Sequence, residues 1–188
     1  MNTNFIREIL NAVGQFSDQE VLFFEKHTSR RILAKNETLL QQGKVCQSVY
    51  YILSGSFYQY QEHETTERII DLHLPKEWML NHSSLIAQSP SNTTIRAFAK
   101  AEVIELGLSQ LHSLMAISPA FLKLASIFDQ AGNRTYLFDH ALDPAQKYAY
   151  INKVKPLLTQ VFPLKMIAAY LKVTPETLSR VRAKPFIS

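Results

Sequence analysis

Between about residue 28 and residue 107 the apolar side chains alternate in short runs broken by turn residues, and on both sides of that stretch they recur at helical spacing. A chain written this way must build a sheet structure in its middle and attach helices before and after it. The alternation predicts strands at Ser29–Leu33, Glu37–Gln41, Val49–Leu53, Ser56–Gln61, Glu67–Leu72, Thr93–Ala97 and Glu102–Leu106. Ser54-Gly55 reads as a tight hairpin turn and the polar run Glu62–Thr66 as a second hairpin tip. Short strands at this spacing predict an antiparallel jelly-roll barrel.

The flanks read as helices. Phe5, Ile6, Ile9, Leu10 and Val13 form one stripe on a helix over Asn4–Val13, and Ser17-Asp18-Gln19-Glu20 is a capping box opening a second helix that runs to about Lys26. After the barrel, Leu108–Ile117 is a short helix. Ser118-Pro119 then opens a long one reaching about Ala141, with Phe121, Leu124, Phe128, Thr135 and Phe138 as a heptad-like stripe. Asp143-Pro144 opens another, to about Thr159, and marks the expected hinge. The expected division is a barrel with N-terminal helices over 1–117, a pairing helix over 118–142 and a terminal unit over 143–188.

That terminal unit carries the most specific motif. Leu164, Ile167 and Leu171 share one face of a helix opened by Pro163, and Ala168 and Ala169 leave room for a close crossing. Lys172-Val173-Thr174 is a turn, with Thr174 placed to cap the next helix and Pro175 at its first position. Leu178 and Val181 then face inward, while Glu176, Ser179, Arg180 and Ala183 fall on the opposite face. Two helices around a three-residue turn form a helix-turn-helix, the motif that lays its second helix in the major groove of DNA. Arg180 suits guanine O6 and N7, and Glu176 suits cytosine N4. Thr174, Thr177, Ser179 and Arg182 suit phosphates or base edges. The alternative for the hairpin alone is an amphipathic structural pair with a solvated charged face.

Charge separates the same way. From Lys147 onward there are eight basic side chains against Glu176 alone, whereas residues 1–146 hold twelve basic and fifteen acidic ones. The basic end is the expected polyanion-facing part. Cys46 is the single cysteine, so no internal disulfide or four-cysteine cluster can form. The five glycines make no phosphate-cradling loop. With no apolar run of 18 residues and no signal-peptide pattern, a soluble cytoplasmic chain is expected, without membrane attachment. The six histidines lack metal-ligand spacing, although His73 and His82 could meet in space, so no metal and no cofactor is expected. Cys46, in a polar turn, is either a redox thiol or a bystander. Alternation puts Tyr58 and Tyr60 on one face, expected to be barrel core.

Taken over nearly its whole length, the chain resembles the Crp/Fnr family of bacterial transcription regulators. The resemblance is carried by Tyr50-Tyr51-Ile52-Leu53-Ser54-Gly55, by Ala101-Glu102-Val103-Ile104-Glu105-Leu106, and by Ile167-Ala168, Leu171 and Thr174-Pro175-Glu176-Thr177-Leu178-Ser179-Arg180. It implies an α+β protein. A cyclic-nucleotide-binding-type barrel (a double-stranded β-helix or jelly roll) leads to a long dimerisation helix and a C-terminal helix-turn-helix of winged-helix type. It implies a homodimer on near-palindromic double-stranded DNA, with Glu176 and Arg180 reading bases. Three departures qualify it. The Gly-Glu pair and Arg-Ser or Arg-Thr step of cyclic-AMP binders are replaced near Leu80-Asn81 and Ser91-Asn92, so cyclic-AMP dependence is not expected. Lys172 stands where the family has Gly. No wing hairpin follows Arg182. Asn81, Ser83, Ser91, Asn92 and Thr93 then mark an expected pocket for an unknown neutral effector, or an ordinary polar loop. Two rival functions remain open at this stage: a small-molecule sensor without DNA binding, and a cupin-like metalloenzyme.

Overall fold

The computed structural model describes residues 3–63, 66–128 and 141–183. Helices α1 (Thr3–Asn11) and α2 (Asp18–His27) come first. Eight strands follow: β1 (Ser29–Leu33), β2 (Thr38–Leu40), β3 (Ser48–Ser54), β4 (Phe57–His63), β5 (Thr66–His73), β6 (Trp78–Met79), β7 (Thr94–Ala97) and β8 (Ala101–Gly107). A short helix α3 (His82–Ala87) lies between β6 and β7, and α4 (Leu108–Ile117) leaves the barrel. The strands pair antiparallel in two four-stranded sheets, β1-β8-β3-β6 and β2-β7-β4-β5, closing the jelly roll the alternation predicts.

All seven expected strands are present. Strand β6 and helix α3 were not foreseen, because two residues cannot show a period and a six-residue helix has little stripe. Asn81 starts α3 by accepting from the Ser84 backbone N–H at 3.0 Å. The hairpin at Gly55 needs its glycine: φ is +78°, and a methyl there would run into the Lys100 carbonyl and Ala101.

The N-terminal helices seal one part of the barrel. Ile6, Ile9, Leu10, Val21 and Phe24 are buried with Leu33, Ile52, Phe57, Ile104 and Leu106 in one cluster. The capping box is present: Ser17 N–H donates to Glu20 Oε2 at 2.7 Å, and Glu20 N–H to Ser17 Oγ at 3.4 Å. Ser118 Oγ also donates to Glu20 Oε1 at 2.6 Å, tying α2 to the chain leaving the barrel.

Two helix expectations are corrected. The segment opened by Ser118-Pro119 begins as a 3-10 helix, Pro119–Ala125. Its Phe121 and Leu124 are buried in the chain's own core, Phe121 against Phe16 with ring centroids 5.5 Å apart. Thr135 and Phe138 lie outside the described residues. Helix α5 (Pro144–Val154) is opened as expected by Asp143, whose carboxylate accepts from Ala145 and Gln146, but it stops before Thr159. Pro156 is the reason: a proline disfavours helical backbone at the residue before it, and Lys155 leaves the helix with φ −136° and ψ 63°. A short α6 (Leu158–Val161) follows, then α7 (Leu164–Tyr170) and α8 (Pro175–Ala183).

Tyr58 and Tyr60 are the third correction. They stack at 5.2 Å on the outer face of the β2-β7-β4-β5 sheet and join a second cluster with Ile69, Leu72, Ile151, Phe162, Ile167, Tyr170 and Leu178. They are core, but core shared between the barrel and the terminal helices. Alternation correctly put both on one face and could not say which face was covered.

Candidate nucleic-acid interface and barrel cavity

Helices α7 and α8 make the expected hairpin. Pro163 precedes α7 as its N-cap, one residue before the expected place, while Pro175 is the first residue of α8. Thr174 caps α8, its Oγ1 accepting from Thr177 N–H at 3.2 Å. Between them Lys172 has φ +56°, the left-handed region the family's Gly would adopt freely. Ile167, Ala168, Leu171 and Leu178 are buried, and Val181 packs against them. This inward packing turns the other face of α8 out: Thr174, Glu176, Ser179, Arg180 and Arg182 are exposed and Thr177 half-exposed. Arg180 Nη2 donates to Thr177 Oγ1 at 3.4 Å. The Glu176 carboxyl is held below its usual range, first by its own backbone N–H at the helix start and then by the Thr174 hydroxyl. It therefore stays an acceptor at neutral pH. All six residues named from the sequence lie at or beyond the start of α8, five of them exposed.

Inside the barrel, Asn81, Ser83, Asn92 and Thr93 line a cavity of about 270 Å³ together with Gln59, Gln61, Asp71 and His82. Ser91 stands behind them. Asn81 Nδ2 donates to Ser91 Oγ at 2.9 Å and to Thr93 Oγ1 at 2.7 Å, and Gln59 Nε2 donates to Thr93 Oγ1 at 2.7 Å. Asn81 and Ser91, near the positions where the resemblance implies the acid and the arginine of a cyclic-AMP binder, are thus hydrogen-bonded to each other. Among the described residues lining the cavity there is no Lys or Arg. Arg96 lies outside, its guanidinium 5.1 Å above the Tyr60 ring and 3.7 Å from Glu67. Gln59, Gln61 and Asp71 were not named from the sequence; only the β4–β5 pairing, which sets Gln59 opposite Asp71, brings them in.

The remaining candidates separate. Cys46 is buried, its Sγ donating to Ser48 O at 3.3 Å, and burial pushes its thiol pKa up, away from a reactive thiolate. His73 lies buried with its Nδ1 3.8 Å from Glu77, whereas His82 meets the Phe128 ring edge at 6.3 Å. Among the described residues no three His, Cys, Asp or Glu side chains are grouped to hold a metal ion, and no helix is long and apolar enough to cross a membrane.

Comparison with known proteins follows this geometry. Residues 30–118 match the family model described as the cyclic nucleotide-binding domain. The matched stretch runs from β1 to just past α4, and the match agrees with the Crp/Fnr resemblance. Beyond it, solved structures share the fold at larger extent. FixK2 from Bradyrhizobium japonicum is 17% identical, with 83% of each chain covered and a TM-score of 0.64. The catabolite activator protein of Thermus thermophilus is 21% identical, covering 93% of this chain and 84% of that one, with a TM-score of 0.57. The c-di-GMP-responsive global regulator CLP of Xanthomonas campestris is 16% identical over 88% of this chain and 89% of its own, with a TM-score of 0.58. At these identities the likeness is one of fold. None of the curated proteins compared matches the sequence significantly.

Proposed function

We propose that this chain is a sequence-specific DNA-binding transcription regulator of Crp/Fnr type, working as a homodimer without cyclic AMP. The observation that carries it is the outward face of α8: Glu176, Ser179, Arg180 and Arg182 exposed beside a Thr174 cap, on a helix fixed from behind by buried Leu178. Arg180 and Glu176 read base edges, and Thr174, Thr177, Ser179 and Arg182 set the register on phosphates. The division into a sensor barrel over 1–117, a pairing segment over 118–142 and a DNA unit over 143–188 belongs to this reading. So does the barrel cavity as the seat of any effector. Its self-bonded Asn81–Ser91–Thr93 network, its uncharged Ser83 and Asn92 and the Asp71 carboxylate in its lining disfavour an anion, and a small neutral ligand fits this reading.

The test is a gel-shift titration of the full chain on a duplex selected from random sequence. Arg180→Ala should weaken specific binding by about 1–3 kcal/mol, the worth of a good base contact, with the oligomeric state unchanged in sedimentation. Equal affinity of the two proteins removes Arg180 from the interface.

A further inference from the structure

Strand β5 is an edge of its sheet, so alternate backbone carbonyls along it have no ladder partner. One of them is occupied from outside. Lys155, the residue that Pro156 forces out of α5, sends its side chain to that edge: Nζ donates to Leu72 O at 2.5 Å and to Glu77 Oε2 at 2.8 Å, and lies 3.5 Å from Asp71 Oδ1. Its ammonium also lies 6.0 Å from the Tyr170 ring of α7. Lys155 itself is 4% exposed. A lysine buried this deeply is retained only where it is fully paired, and here every partner but Tyr170 belongs to the barrel.

We infer that Lys155 is a positioning residue, a charge clamp that fixes the DNA-reading helices against the barrel edge in one orientation. The clamp sits where the two parts meet, flanked by the shared apolar cluster of Tyr58, Ile69, Leu72, Ile167 and Tyr170. Apolar packing alone tolerates sliding. A buried ammonium held by a carbonyl and two carboxylates does not, because any shift takes it away from acceptors it needs in place of water. In this docked arrangement the outward face of α8 remains open, so the clamp does not hide the reader. It sets where the reader points. On a site with two half-sites, that orientation decides whether both readers reach successive grooves together. Asp71 belongs to the clamp and to the cavity lining alike, so a molecule occupying the cavity would touch the clamp directly.

The inference rests on the DNA-binding reading in one arm of its test and stands free of it in the other. Lys155→Met breaks the clamp, and Lys155→Met/Asp71→Asn/Glu77→Gln removes its charges together, which guards against a single variant that merely fails to fold. Hydrogen exchange on the full chains should show faster exchange in residues 69–73 and 164–171, with β3 and β8 protected as in the parent. In titrations, a selected duplex with both half-sites should bind each variant about tenfold more weakly, through lost effective concentration of the second reader. The same duplex with one half-site scrambled should bind as before. Equal losses on both duplexes, or parental exchange at the interface in the triple variant, would overturn the clamp. A parent chain that binds no selected duplex sinks the regulator reading instead, and the exchange comparison then decides the clamp alone.

Discussion

Lys172 shows how one residue can be read from sequence and still cost stability. It occupies the turn position where the resemblance expects Gly, and it takes φ +56° to keep the hairpin geometry. A β-carbon in left-handed backbone costs roughly 1–2 kcal/mol. Lys172→Gly should therefore raise unfolding free energy by about 1 kcal/mol in urea melts while leaving DNA affinity unchanged; a destabilised variant would mean that the lysine side chain contributes more than its backbone costs. The outward α8 residues were equally legible, because Thr174, Pro175 and Leu178 fix the helix phase by themselves. The clamp was not. Nothing in the spacing around Lys155 distinguishes it from a solvated lysine. The one available signal was Pro156, which ends α5 and sends Lys155 toward β5.

Among the elements, the strands of the barrel were legible because one face of each is buried and the period survives. The covering of the second face was not, since alternation at Tyr58 and Tyr60 is the same whether the far side meets water or α7. That shared face should report on pH. Burial pushes the Tyr60 hydroxyl from 10.0 up to about 12. Its folded pKa lies above its unfolded value, so its contribution is fully present below pH 10 and is lost as pH rises toward 12. Melting temperatures should fall across that window, and Tyr60→Phe should fall less steeply; parallel curves would place the Tyr60 hydroxyl in water. Within α8, Leu178 anchors the reader. Leu178→Ala should destabilise the terminal helices by about 3 kcal/mol through transfer and cavity terms, seen as an early transition in calorimetry, and a loss below 1 kcal/mol would show that α8 is not seated by it.

For the whole molecule, charge and shape divide the labour. The barrel half carries an excess of acid and the terminal segment a strong excess of base, so in the proposed reading a polyanion is drawn chiefly to the end that bears the hairpin. Specific binding should weaken steeply with salt as condensed counterions are displaced. The measurement that tests the central claim most directly is selection of bound duplexes from a random pool by the full chain at physiological salt. The account predicts enrichment of a near-palindrome whose half-sites lie about one helical turn apart, and loss of that enrichment in Arg180→Ala. Recovery of an unenriched pool by the intact, folded chain would contradict it.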